Sequence, residues 1–103
     1  MSNSSTATIA QTEEGISFDG DLVFSTVASV LPDGCHYIEI HEAEIIIINL
    51  LKVKKIDSAG IAMLIAWKRL CDTKNKNFMI IGAQPQVVSL ITANKLQEIL
   101  QLR

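Results

Sequence analysis

Cysteine is scarce: the chain has two, Cys35 and Cys71, with no short spacing between them. That excludes a disulfide scaffold and a cysteine-built zinc cluster, and reduced thiols are the expectation. Proline is equally rare, with two residues, so no proline-rich linker divides the chain. A basic excess is missing too. Nine Lys and Arg against eleven Asp and Glu give a net charge of -2. Nucleic acid is therefore not an expected partner, because binding it needs a cationic footprint. Long apolar runs are absent as well. The charge-free apolar stretches at 45–48 and 59–67 are far shorter than the roughly 20 residues that span a bilayer, so no direct membrane insertion is expected. The opening "MSNSSTATIA" carries neither the positive start nor the apolar centre of a signal peptide, and a cytoplasmic location is the expectation.

Motifs for chemistry are also missing. Ser58 is preceded by Ile56-Asp57 rather than by a nucleophile elbow, and no glycine-rich loop precedes a lysine at phosphate-loop spacing. The chain reads as a non-enzyme. "CHYIEIH" places Cys35, His36, Glu39 and His41 close together, with Glu42 following. No matching ligand pair stands elsewhere, so a polar segment explains them and no metal or cofactor is expected.

At 103 residues the chain suits one domain, over residues 7–103, after a short polar leader at 1–6. "TATIAQ" and "GISFDGD" alternate apolar with polar residues around Glu13-Glu14-Gly15, the pattern of a β-hairpin. Val23, Val27, Val30 and Leu31 follow helical spacing, and Pro32-Asp33-Gly34 should end that helix. Residues 35–43 stay open between strand, loop and a second helical turn. "EIIIINLL" at 44–51 predicts a strand with both faces covered, since four consecutive isoleucines put apolar side chains on each side. "NFMIIGA" at 77–83 has the same character. The stretch from Ser58 to Thr73 is long enough for the crossover helix a parallel pair requires. Another helix should begin at Pro85, and a short last one around Leu96 to Leu102. The sum is an α/β domain with a mixed sheet built on a parallel βαβ unit.

"KKIDSAGIAMLIAW", residues 54–67, is the least generic stretch. Asp57 or Ser58 can cap the helix that follows, and Gly60 suits close packing. A hydroxyl shown at that positive helix end is also where added phosphate is stabilised. One apolar stripe of the helix holds Ile61, Leu64 and Ile65. A second holds Ala59, Ala62, Met63, Ala66, Trp67 and Leu70. A helix on a sheet needs one stripe, so the second faces either a neighbouring helix or a partner protein.

The order of elements and the run "IIIINLLKVKKIDSAGIAMLIAWKRL" resemble the STAS domain family, whose pattern is a hydrophobic strand, Asn or Asp, Leu, a short loop, D-[ST]-x-G and an apolar helix. "GDL" at 20–22 and "NFMIIGAQPQVVSLI" extend the likeness to roughly residues 15–102. Two features depart from it: Val23 stands where an acid is frequent, and the segment from Pro32 to His41 interrupts what is one helix in the family. The resemblance implies a STAS fold with helices mainly on one face of the sheet. It also implies that Ser58 is the phosphorylated or partner-contacting hydroxyl. Within the family the likeness runs to the MlaB-type subunits of phospholipid ABC transporters, which bind the transporter's ATPase subunit and sit peripheral to the inner membrane through it. The alternative is an anti-sigma factor antagonist, switched by phosphorylation of Ser58 by an anti-sigma factor kinase. Either way, Asp57, Ser58, Ala59, Gly60, Met63 and Trp67 are the expected docking residues. A second copy of the chain is the remaining candidate partner.

Overall fold

The computed structural model describes residues 7–12 and 14–102. The expected leader at 1–6, Glu13 of the hairpin turn and Arg103 lie outside the described residues. Strands β1 (Ala7–Gln11) and β2 (Gly15–Leu22) pair antiparallel, with Ile9 opposite Phe18. Thr12 closes their turn: its hydroxyl accepts the Gly15 N–H at 3.2 Å, and its own N–H donates to the Gly15 carbonyl at 2.9 Å. Helix α1 (Phe24–Ile40) follows, then β3 (Ile45–Ile56), α2 (Ser58–Thr73), β4 (Asn77–Ile81) and α3 (Pro85–Ala93). The sheet order is β1-β2-β3-β4, and β3 runs parallel to both neighbours. This is the mixed sheet, with its parallel βαβ core, that the sequence predicts.

One face of the sheet carries the core. Ile16, Ile46, Ile48, Phe78 and Ile80 come side by side through the register pairs Ile16 to Ile48, Ile46 to Phe78 and Ile48 to Ile80, and all are buried. Helix α1 lies against β1 and β2, α2 against β3 and β4, and α3 against β3. The opposite face is not covered as expected. Ile47 and Met79 are only half-buried there, and Ile45 is 42 % and Leu51 60 % exposed. The isoleucine run is apolar on both sides, yet the three helices form a single layer.

Strand β3 is longer than 44–51 because its periodicity changes. Register shifts fall between Ser17 and Asp19 and between Gly20 and Leu22 of the partner strand. Each shift fits one extra residue into β3, so its buried positions become Leu50, Val53 and Ile56, three apart instead of two. The three exposed lysines at 52, 54 and 55 occupy what those bulges turn outward.

Helix α1 also overrides a local signal. Pro32 removes one hydrogen bond and crowds the preceding turn, at a cost of about 3 kcal/mol, yet the helix continues to Ile40. Beyond Pro32 it buries Gly34, Tyr37 and Ile38, on the stripe that begins with Thr26 and Val30. Burying two large side chains contributes about 1.5–3 kcal/mol each, which outweighs the proline. The Tyr37 hydroxyl adds a hydrogen bond to the Thr12 carbonyl at 2.5 Å. Tyr37 and Ile38 are adjacent and both buried, which a strand alternating across its two faces would not do.

After α3 the chain makes hydrogen-bonded turns rather than the expected last helix. Leu100 is buried, and Leu102 forms a parallel bridge to Ile80. Among the described residues, no helix is long and apolar enough to cross a membrane.

Candidate functional site

Asp57, not Ser58, is the cap of α2. Its Oδ1 accepts from the amides of Ala59 at 2.9 Å and Gly60 at 3.1 Å. Its Oδ2 accepts from the Phe24 amide, at the start of α1, at 3.0 Å. One carboxylate therefore serves the orphan donors of two helix N-termini. Burial works to raise its pKa, but the amides of Phe24, Gly60 and Ala59 outweigh it and hold the group below the usual carboxylate value. Asp57 is consequently ionised throughout the neutral range.

Gly60 brings these ends together. A Cβ there would stand 2.2 Å from the Leu22 carbonyl oxygen and 2.6 Å from Ile56 Cγ1. Only glycine lets the first turn of α2 sit so close to the end of β2, where the Asp57 amide donates to the same Leu22 carbonyl at 3.3 Å. Ser58 is the first residue of α2 and is exposed. Nothing about the cap requires its hydroxyl.

Next to Ser58 in the chain, Ala59 lines an open apolar groove that runs between α1 and α2, with Phe24, Val27, Ala28, Leu31, Ala62 and Met63. Phe24 is 82 % exposed at its rim. Ser58 itself lines a smaller groove on the other flank, with Ile61, Ala62, Ile65, Asn94 and Leu96. Ala59, half-buried, belongs to the surface as expected. Trp67 does not, and Met63 contributes only to the lining of the α1–α2 groove. Met63 and Trp67 are 1 % and 0 % exposed, because α1 covers that stripe of α2. The Trp67 ring stacks on Phe18 with centroids 5.6 Å apart, and its indole N–H donates to the Leu31 carbonyl at 3.2 Å. Gly34 makes room, since a Cβ there would lie 2.2 Å from Trp67 Cζ2. The neighbouring-helix account of the second stripe holds for these two residues. Phe24, Val27 and Ala28 replace them at the surface. The only sequence signal for Phe24 was an aromatic standing off the Val23, Val27, Val30 stripe.

Among the described residues, neither histidine stands beside Ser58. His36 lies on α1 well beyond Phe24, roughly 18 Å along the axis at 1.5 Å per residue. The Cys71 thiol is buried, and burial pushes its pKa up to about 11, which leaves it inert as a nucleophile. Among the described residues no group of three His, Cys, Asp or Glu is placed to hold a metal. What the arrangement offers is a shaped surface: a rigid polar tip beside an apolar groove.

Comparison with known proteins bears on the fold. SpoIIAA, an anti-sigma factor antagonist, in its unphosphorylated form superposes with a TM-score of 0.65 at 16% identity, covering 84% of this chain and 81% of that one. An anti-sigma-factor antagonist (STAS) domain protein from Planctomyces limnophilus gives 0.74 at 14% identity, over 97% and 90%. The Bacillus cell fate determinant SpoIIAA in its phosphorylated form gives 0.68 at 15%, over 94% and 90%. At such identities these likenesses establish the architecture alone. No curated protein matches the sequence. The STAS domain model matches residues 7–103, nearly the whole chain, and so the chain belongs to the STAS domain family.

Proposed function

We propose that this chain is a non-catalytic docking subunit of the MlaB type, which binds and regulates the ATPase of an ABC phospholipid transporter that maintains outer-membrane lipid asymmetry. The observation that carries the docking reading is the exposed Ser58, which lines a small groove with Ile61 and Leu96 and adjoins, through Ala59, an open apolar groove rimmed by Phe24. An exposed aromatic next to a groove of alanines suits an apolar element of a partner, and the polar tip sets its register. The choice of an ATPase subunit follows the sequence resemblance. A second reading, an anti-sigma factor antagonist switched at Ser58, is favoured by the exposure of that hydroxyl at the positive end of α2. The likeness to SpoIIAA in both forms also supports it.

Affinity capture from the source cytosol distinguishes the two. Wild-type chain should retain an ABC ATPase subunit, and a Phe24→Asp chain should lose it. Recovery of a serine kinase alone would reverse the assignment.

A further inference from the structure

At the start of α1 the buried Thr26 hydroxyl accepts from the Val23 amide at 3.0 Å, but it leaves the Phe24 amide unmet. Val23, at the helix N-cap, has no side-chain oxygen, and the Phe24 amide is met instead by Asp57 from 33 residues away. The same carboxylate is anchored locally by two amides of α2, those of Ala59 and Gly60. Its two arms are therefore unequal. The arm to α2 has two short-range bonds within one turn, whereas the arm to α1 is a single bond between separate elements. Ser58 is the next residue in the chain, exposed, and charge placed there acts on Asp57 at close range. We propose that Asp57 is a positioning residue that carries the charge state of Ser58 to Phe24, so that negative charge at Ser58 loosens the first turn of α1 and with it the rim of the groove.

The physical sequence is short. Two negative groups on consecutive residues repel, and the Ala59 and Gly60 amides that hold Asp57 to α2 are within its own turn. Asp57 keeps its doubly bonded arm and yields the single one. Phe24 then loses its charge-assisted acceptor, and the most exposed aromatic residue of the groove loses its fixed position. The consequence for binding rests on the docking reading given above; the coupling itself does not.

Amide hydrogen exchange of the full chain, followed residue by residue by NMR without any partner, tests this. The forms to compare are wild type, Ser58→Asn, Ser58→Asp and Asp57→Asn. The Phe24 amide should exchange alike in wild type and Ser58→Asn, and about tenfold faster in Ser58→Asp and in Asp57→Asn, as expected for loss of a hydrogen bond to a charged group. Amides of Leu64 and Trp67 in mid-α2 report global stability and should not change between the two Ser58 variants. Equal Phe24 exchange in Ser58→Asp and wild type would overturn the proposal. So would equal acceleration by Ser58→Asn, since a merely structural role does not distinguish a charged side chain from its neutral isostere. Because no partner is present, failure here leaves the docking reading to its own test, and the converse also holds.

Discussion

Replacing Trp67 by alanine should lower the free energy of unfolding by about 4 kcal/mol, the usual range for an aromatic removed from a core. The ring is fully buried, stacks on Phe18 and donates its N–H to Leu31 on α1. It therefore ties the sheet, α2 and α1 together at one point. For a domain of this size the total is about 5–15 kcal/mol, so the variant should unfold at much lower urea or not fold fully at all. Trp67→Phe keeps most of the packing and should cost less, chiefly the hydrogen bond to Leu31. Urea titration followed by circular dichroism is the measurement. A loss within about 0.5 kcal/mol is what a surface tryptophan gives, and it would restore Trp67 to the docking face.

Gly60→Ala should destabilise the fold by about 2 kcal/mol, against the trend for its residue types. In an open helix the same exchange stabilises by about 0.5–1 kcal/mol, because alanine is the better helix former. Here the added methyl meets the Leu22 carbonyl oxygen at 2.2 Å and Ile56 Cγ1 at 2.6 Å. A backbone oxygen does not swing aside as a side-chain tip does, so α2 must lift from the end of β2, with the cost of overpacking. Lifting it also strains the bond from the Asp57 amide to Leu22 and the reach of Asp57 to Phe24. The sign of the change in the urea midpoint decides the matter: a stabilised variant would mean that the two elements are not held together as described.

The parts of the fold that were legible from sequence are those in which local chemistry and global packing agree. The run from Ser58 to Thr73 carries the pattern of the helix it forms, Asp57 with Gly60 marks that helix's start by residue type, and the four isoleucines and "NFMII" mark their strands though not the open face of the sheet. Elsewhere a local signal lost to contacts distant in the chain. Pro32-Asp33-Gly34 is strong turn chemistry, and nothing near it reveals that Gly34 is there to admit Trp67. Lys52 to Ile56 lost the two-residue alternation of a strand because bulges stretched it to three. At the site, Ser58 and the cap were readable because they are contiguous. The groove was not, since its walls come from α1 and α2, and Asp57 reaches Phe24 across 33 positions. Trp67 was misplaced for the complementary reason: an apolar stripe does not say whether its cover comes from the same chain or another.

In the proposed function, Ser58 and the neighbouring α1–α2 groove form one docking surface. Titration calorimetry of the captured partner, at fixed ionic strength, should give affinity falling in the order wild type, Ser58→Ala, Ser58→Asp. Since Asp57 provides the cap, Ser58→Ala leaves the fold intact and removes at most one interfacial hydrogen bond, about 1 kcal/mol. Ser58→Asp adds repulsion from Asp57 of about 1 kcal/mol at a solvated surface, partly offset by the helix dipole. Leu51→Ala, on the open face of the sheet, should bind as wild type does. Equal affinities across the Ser58 series, or a loss confined to Leu51→Ala, would contradict the account and move the docking surface to the sheet.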